Sequence, residues 1–210
     1  MARAGTAESK GPGVETRNRM IQAAVATLKE VGFAGASARQ IARTGGFNPA
    51  LIFYHFGSVN DLLLAALDAT SEVRMKRYRQ AVEGCEDLPT LLEVAVGVYR
   101  EDLESGHITV LAEMIAGAST VPELGPEIVA RMHPWVQLTE ESLARVLEGT
   151  PFEQLAPTRD LAFGIVALYL GMELITHLDG DRERVESLFR VATNVASLVG
   201  GLLGAPGGGA

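Results

Sequence analysis

Apolar residues recur along this 210-residue chain at intervals of three and four, which is the spacing of an amphipathic helix. Alternation of apolar and polar residues, the mark of a strand, does not persist over any length of the sequence. Glycine and proline interrupt the helical pattern at several points, for example at Gly106, Gly149 and Gly180. The pattern therefore predicts an all-α protein of about nine helices.

Helix-capping residues divide the N-terminal part into three short helices and one long one. The first helix is expected from about Glu15 to Val31, with Gly32 as its stop. Ser37 and Asn48 are residue types that cap helix starts, and proline at position 49 suits a first helical position. The third helix ends by residue 57, and a serine at 58 opens the fourth, which runs to about residue 83. Further helices are expected at about 88–105, 107–118, 126–148, 158–178 and 182–203.

The second and third helices flank a four-residue turn, Thr44 to Phe47, whose length and glycine content suit two helices that cross steeply. On the third helix, Ile52 and Phe56 are four residues apart and share one face, which we expect to pack on the first helix. The opposite face then carries small, apolar and aromatic side chains at Ala50, Leu51 and Tyr54.

An exposed face of that kind suits insertion into a DNA major groove, where small residues permit close approach and aliphatic groups contact thymine methyls. Arg39 and Arg43, one turn apart on the second helix, are placed for phosphates or a base edge. The alternative is an ordinary helical hairpin with some exposed apolar residues.

Charge is distributed unevenly between the two ends of the chain. The net charge is −8, yet residues 1–60 carry seven basic and three acidic side chains, a balance of +4. The remaining residues carry −12. A basic head on an acidic body is typical of a protein that presents only one end to a polyanion.

Over about residues 15–64, near a quarter of the chain, the sequence resembles the signature of TetR-type transcriptional regulators. The resemblance implies a dimer shaped like an Ω, DNA recognition by the third helix and a variable C-terminal domain that binds an inducer. The matching positions are Gly32-Phe33, Ser37, Ile41-Ala42, Gly46-Phe47-Asn48, Ile52-Phe53-Tyr54-His55-Phe56 and Leu62-Leu63. The DNA contacts that it implies fall on Ser37, Arg39, Asn48, Ala50, Leu51, Phe53, Tyr54 and His55.

Two positions depart from the pattern of that family. The family usually has tyrosine where this chain has Phe53, and lysine where it has Val59. Both differences remove groups directed at the DNA backbone, so they should weaken sequence-independent affinity and flatten its salt dependence. A loose basic arm with Arg3 and Lys10 is placed to compensate.

The C-terminal helices carry the predicted dimer interface and the predicted ligand pocket. Residues 158–203 are apolar around most of their circumference, which favours a four-helix bundle with a second copy, although the core of a monomeric bundle is the alternative. Pocket candidates are the polar, aromatic and methionine side chains within the body, each of which fills a core more often than it binds a ligand. They are Met75, Tyr99, His107, Met114, Met132, Trp135, Tyr169, Met172, Glu173 and His177.

Glu173 and His177 lie four residues apart on one face, so a ligand amine or a metal is conceivable there, although an ion pair or a histidine near the helix dipole is the simpler interpretation. No phosphate loop, nucleophile elbow or cysteine-histidine cluster occurs, so we predict no enzyme, no cofactor and no metal. The longest apolar run, Leu161 to Met172, falls short of the roughly 20 residues that span a bilayer. With a lone Cys85 and no secretory signal, the expected location is cytoplasmic.

These patterns predict four segments: a disordered arm at 1–13, a helix-turn-helix domain at 14–57, a ligand-binding and dimerisation domain at 58–203 and a disordered tail at 204–210. The expected function is a homodimeric repressor, bound to a palindromic operator in double-stranded DNA and released by a small, mostly apolar inducer. One alternative is a helical ligand-binding or enzyme-like protein without specific DNA binding. The other is a DNA-binding dimer without a small-molecule inducer.

Overall fold

The computed structural model describes residues 12–150, 153 and 157–204. Over those residues the chain forms nine α-helices and no strand, as the hydrophobic pattern predicts. Most of the predicted arm and tail, with Arg3 and Lys10, lies outside the described residues, while residues 12, 13 and 204 are helical. The helices are α1 (Pro12–Gly35), α2 (Ala38–Gly45), α3 (Ala50–Phe56), α4 (Val59–Val82), α5 (Leu88–Ser105), α6 (His107–Ala118), α7 (Leu124–Leu147), α8 (Thr158–Asp179) and α9 (Glu183–Gly204).

The expected capping residues begin the helices of the N-terminal head. Ser37 Oγ accepts a hydrogen bond from the backbone N–H of Gln40 at 3.3 Å. Asn48 Oδ1 accepts from the N–H of Ala50 at 2.9 Å. At the start of α4, Ser58 Oγ accepts from the Asp61 N–H at 3.0 Å and donates to the Asp61 carboxylate at 2.6 Å. Each cap satisfies a backbone donor that a helix start leaves unpaired, which is why these boundaries are readable from sequence.

The head and the nearest part of the body share one continuous hydrophobic core. Met20, Leu28 and Ile52 from the head are fully buried in it, together with Leu62 from α4 and Met114 from α6. The predicted boundary near residue 57 therefore does not separate two hydrophobic cores. A displacement of α4 or α6 is consequently transmitted to the head through packed side chains.

Two smaller clusters complete the body. One surrounds Cys85, which is 2% exposed and packed with Leu143 and Ala162. Burial raises the pKa of its thiol above the ordinary value. The other cluster joins Tyr99 of α5 to Val185 and Phe189 of α9.

The outer surfaces of α8 and α9 are apolar in the single chain. On α9 the exposed large apolar residues are Leu188, Val191, Val195 and Leu198, whose three- and four-residue spacing makes one stripe along the helix. On α8 the exposed apolar residues are Leu161, Phe163, Ile165, Leu168, Ile175 and Leu178.

By length and composition α8 is also sufficient to span a membrane, which the 12-residue apolar run alone did not indicate. An 18-residue window within it has a mean hydropathy of 1.7, and 17% of that window is buried. The bent pair of α3 and α4 meets the same test when the two are combined. However, α8 packs along α7 within the helical body, so only its outer side lacks a protein neighbour.

Candidate DNA-reading surface and ligand cavity

Two glycines shape the turn between α2 and α3. Gly46 has a φ of 65°, in the left-handed region that glycine adopts without steric cost. A Cβ on Gly45 would collide with the ring of Phe47, so this position requires the absence of a side chain. The turn thereby lets the ring of Phe47 pack into the head core beside α2.

The third helix has the two faces that its sequence predicts. Ile52 is fully buried, whereas Phe53 is 54% and Tyr54 is 82% exposed. Ala50 is exposed on the same helix. The Tyr54 and His55 rings meet edge to face with centroids 5.0 Å apart, which supports the orientation of the tyrosine.

Two side chains differ from the simple assignment of faces. Leu51, expected on the exposed face, is half-buried and packs against the head core. Phe56, expected to be buried, is half-buried beneath the guanidinium of Arg17, which lies 4.6 Å from the ring centroid. Neighbouring residues cover part of both flanks of the short α3. Side chains that lie between its buried and exposed faces are therefore partly buried.

The remaining implied DNA contacts surround this helix. Ser37, Arg39 and Asn48 are exposed, as is Arg43 at the end of α2. His55 is half-buried and lines an open cleft of about 660 Å³ between the head and the start of α7. Val59, which replaces the family's usual lysine, packs partly buried against the head core and contributes apolar contact instead of charge.

A second cavity of about 220 Å³ lies within the body, among α4, α5, α6, α7 and α8. Five of the ten pocket candidates line it: His107, Met132, Trp135, Tyr169 and Glu173. The other five do not line this cavity. Most of its wall is apolar and includes Leu88, Leu91, Leu92, Val98, Leu111 and Leu143.

The five pocket candidates that do not line the cavity lie elsewhere in the body. Tyr99 is buried in the cluster with α9 and forms a 2.7 Å hydrogen bond with the hydroxyl of Thr176. Met114 belongs to the shared head-body core, and Met172 packs against the α9 cluster. Met75 is half-buried outside the cavity lining. His177 is exposed at the end of α8, so it does not share a site with the buried Glu173.

A buried polar cluster forms one wall of the cavity. Arg74 Nε donates to Asp102 Oδ1 at 2.7 Å, and its Nη2 donates to Asp102 Oδ2 and to the hydroxyl of Tyr78. The Tyr169 hydroxyl donates to the same Asp102 carboxylate at 2.8 Å. The Arg74 guanidinium also lies 5.2 Å from the centroid of the Trp135 ring. Burial alone would lower the pKa of Arg74, but the hydrogen bond and charge of Asp102 outweigh it and raise that pKa.

Two further titratable groups at this wall are uncharged near neutral pH. Burial raises the pKa of Glu173 to about 8, although the nearby charge of Arg74 acts in the opposite direction. Burial, assisted by the charge of Arg74, lowers the pKa of His107 to about 3. The neutral His107 ring shares a 2.9 Å hydrogen bond through Nδ1 with the hydroxyl of Thr70.

Several residues of this wall were not among those predicted from the sequence. Arg74 and Tyr78 are the most important, and they stand among the other charged residues of the second half of α4, including Arg77 and Arg79. Their four-residue spacing places them on one face of α4, which is the only sequence signal that sets them apart.

The cavity is structurally continuous with the head through α6. His107, which lines the cavity, is the first residue of α6. Two residues earlier, at the end of α5, the Ser105 carbonyl accepts a hydrogen bond from Lys29 Nζ of α1 at 3.1 Å. Further along α6, Glu113 Oε2 accepts from the Phe33 backbone N–H at 2.8 Å, next to Gly32, whose φ of 70° bends α1. A movement of α6 therefore acts directly on the head.

Comparisons with known proteins agree with this architecture. Residues 20–66 match the family described as bacterial regulatory proteins, tetR family. The HTH-type transcriptional regulator UidR of Escherichia coli K12 is 23% identical over 189 residues, which cover 90% of this chain and 93% of UidR.

Solved structures show the same fold. A TetR-family transcriptional regulator from Cytophaga hutchinsonii superposes with a TM-score of 0.73 at 18% identity, covering 90% of this chain and 97% of that one. The multidrug binding protein EbrR, solved in complex with imidazole, gives a TM-score of 0.64 at 23% identity, covering 94% and 93% of the two chains.

Proposed function

Because this chain is a TetR-family transcriptional regulator with a helix-turn-helix DNA-binding domain, we propose that it is a homodimeric, cytoplasmic repressor. It binds a palindromic operator through α3 and leaves it when a small, mostly apolar molecule occupies the body cavity. The DNA-binding part of this proposal rests on one observation. The helix α3 has a buried side at Ile52 and an exposed side at Phe53 and Tyr54.

The exposed side of α3 has the chemistry for reading a major groove. The Tyr54 hydroxyl offers a hydrogen bond to a base or phosphate, and Ala50 allows close approach. Arg39 and Arg43 flank this surface from α2 and supply charge for the DNA backbone. The helix-turn-helix is thus the part of the described chain through which we propose that the operator is recognised.

Selection of bound sequences from a random DNA pool identifies the operator and tests the proposal. On that operator, Tyr54→Ala and Arg39→Ala should each lower affinity by about 1–3 kcal/mol if they contact bases, and by less if they contact phosphate. Both residues are exposed, so the free energy of unfolding should change by no more than about 0.5 kcal/mol. Affinities measured by fluorescence anisotropy at one fixed salt concentration decide the outcome.

Two matched variants complete this experiment. Tyr54→Phe keeps the ring and removes only the hydroxyl, while Arg79→Ala removes an exposed arginine from the body, far along α4 from the head. Arg79→Ala should leave operator affinity unchanged. Failure of the pool to yield any preferred sequence would refute the proposed DNA recognition and favour a ligand-binding protein without specific DNA binding.

We assign the exposed apolar faces of α8 and α9 to a second copy of the chain. The spacing of Leu188, Val191, Val195 and Leu198 is the three-four repeat of helix packing in four-helix bundles. The helix α8 also has exposed apolar residues, and it is held along α7 within the body. A lone membrane span needs lipid around most of its surface, so this one-sided exposure favours a symmetric protein interface over a bilayer.

A charge in this interface should dissociate the dimer. Leu168→Asp places one carboxylate from each subunit in the interface, at a desolvation cost of several kcal/mol per ion. The dissociation constant should rise at least about a hundredfold, since each 1.4 kcal/mol corresponds to a factor of ten. Sedimentation equilibrium at micromolar concentration should show a dimer for the unmodified chain and a monomer for the variant.

Val73→Asp is the matched control, because Val73 is 72% exposed but lies on α4 outside this face. It should remain dimeric. A Leu168→Asp protein that stays dimeric at the same concentration would mean that the subunits meet elsewhere.

The body cavity and α6 support inducer control. A ligand beside His107 contacts the start of α6. Glu113 of α6 binds the Phe33 backbone N–H of α1, and the Ser105 carbonyl at the end of α5 accepts from Lys29 of α1. We infer that a ligand selects a position of α4 and α6 in which the two heads no longer match the operator half-sites. The cavity disfavours the alternative of a DNA-binding dimer without an inducer, for which a fully packed body is expected. The fold relative EbrR is described as multidrug binding, which agrees with a ligand site in this fold.

A further inference from the structure

Glu173 contains a buried oxygen that has no hydrogen-bond partner in the described part of the chain. Its Oε1 is enclosed at the cavity wall, and the residue is 2% exposed. Arg74 Nη2 lies 3.6 Å away, too far for a hydrogen bond, and its N–H groups are directed to Asp102 and Tyr78. A buried acceptor without a partner destabilises the free protein, so a ligand that donates to it removes that penalty on binding.

Other hydroxyls of the lining also present acceptor lone pairs. Thr139 Oγ1 donates its proton to the Trp135 carbonyl at 2.9 Å, and Ser142 Oγ donates to the Leu138 carbonyl at 2.8 Å. With their protons used inside α7, the two oxygens are left to accept. The uncommitted polar atoms of this wall therefore suit a ligand that brings hydrogen-bond donors.

The balance of buried charge favours a cation over an anion. The Arg74–Asp102 pair is neutral as a unit. With Arg74 and Asp102, an ammonium ion next to an ionised Glu173 gives two positive and two negative groups, whereas a bound anion leaves an excess negative charge among buried side chains. Unbalanced buried charge is destabilising, so the cationic ligand is the favoured one.

The other groups around Glu173 do not change that balance. From α5, Tyr99 has a raised pKa because of burial, and burial likewise raises the pKa of Tyr78 from α4 and of Tyr169 from α8. From α6, His107 stays neutral because burial lowers its pKa. The lining contributed by α7 has no titratable side chain.

The rest of the cavity determines the size and shape of the ligand. Its volume of about 220 Å³ equals that of roughly seven water molecules, because each molecule takes about 30 Å³ in the liquid. Trp135 and Tyr78 meet edge to face with centroids 5.4 Å apart, and Tyr169 also lines the space. Such walls suit a compact aromatic or aliphatic body.

We propose that the cavity binds a compact lipophilic amine, whose ammonium group donates to Glu173 Oε1 while its apolar body lies among Tyr78, Trp135 and Tyr169. The amine names the ligand class for the proposed inducer, and the DNA-release consequence rests on that proposed function. At neutral pH the free Glu173 carboxyl holds a proton, so capture of an ammonium ion transfers this proton to the solvent.

The test is calorimetric titration of the full chain with three probes of one shape. These are naphthylethylamine, the neutral naphthylethanol and the anionic naphthylpropanoate. The amine should bind at least about tenfold more tightly than the other two at pH 8. Because Glu173 must lose its proton, amine affinity should fall by close to tenfold per pH unit below about 8, while the affinity of the alcohol should not change. Titrations in buffers of different ionisation enthalpy should count about one proton released at pH 7.

Two variants test whether Glu173 causes the preference for the amine and its pH dependence. Glu173→Gln keeps the shape of the side chain but cannot ionise, so the preference for the amine and its pH dependence should both disappear, while naphthylethanol binds as before. Glu141→Gln removes an exposed carboxylate of α7 and should change neither. Circular dichroism and operator binding without ligand confirm that each variant is folded.

Several results would overturn the assignment: equal or tighter binding of the alcohol or the anion, retention of the amine preference in Glu173→Gln, or no saturable binding of the amine up to millimolar concentration. Operator binding is measured on the same preparation without ligand, so loss of the proposed DNA function is seen separately. Amine binding that leaves operator affinity unchanged would uphold the amine site and refute its role as an inducer site.

Discussion

Replacing Asp102 with alanine should destabilise the protein by about 3–5 kcal/mol, the cost of leaving one partner of a buried ion pair alone. The side chains of Arg74 and Asp102 are 11% and 3% exposed, so water cannot replace the lost carboxylate. Tyr169 loses its acceptor at the same time. Urea unfolding followed by circular dichroism at one fixed protomer concentration gives the change in free energy.

Asp68→Ala is the matched control for this loss. Asp68 also pairs with an arginine, Arg131, but their side chains are 52% and 24% exposed. Exposed pairs contribute at most about 1 kcal/mol, so this variant should unfold nearly as the unmodified chain does. If Asp102→Ala were destabilised no more than Asp68→Ala, the polar cluster would contribute nothing to the fold.

Ile52→Ala should destabilise the head by about 2–5 kcal/mol, as expected for a large aliphatic side chain removed from a packed core. Ile52 is fully buried on α3, in the core that continues into α4 and α6. Because that core is shared, the loss should appear within one cooperative transition and not as separate melting of the head. Operator binding should fall with it, since α3 loses its anchorage.

Phe53→Ala, at the next position of α3, separates stability from DNA contact. Phe53 is 54% exposed, so its removal should change the free energy of unfolding by no more than about 0.5 kcal/mol while it weakens operator binding. Both variants should remain dimeric. An Ile52→Ala protein as stable as the unmodified chain, with Phe53→Ala strongly destabilised, would reverse the two faces of α3.

Local chemistry made the head predictable from sequence. Ser37, Asn48 and Ser58 cap helices through bonds to backbone groups two or three residues away, and such short-range interactions are visible in sequence. The buried position of Ile52 and the exposed position of Tyr54 follow from helical periodicity alone. Leu51 and Phe56 were less predictable, because their intermediate burial depends on neighbouring helices.

The cavity was only half predictable, since residue type does not say which of several buried side chains face one space. Tyr99 and Trp135 are both large aromatic residues of the body, yet Tyr99 packs on α9 and Trp135 lines the cavity. Arg74 could not be distinguished from Arg77 by sequence. Only the approach of α5 sets them apart, because it places the buried Asp102 against Arg74 and the exposed Glu101 against Arg77.

The helical architecture, the helix-turn-helix and its two faces are readable from the sequence, because they depend on periodicity and capping within a few residues. Which buried groups meet, and the charge states of Glu173 and His107 that result, depend on how the helices pack. Burial and charges from other helices shift a pKa, and these neighbours are distant along the chain. Asp102 lies 28 residues from Arg74 and 67 from Tyr169, so the cluster exists only once the body is packed.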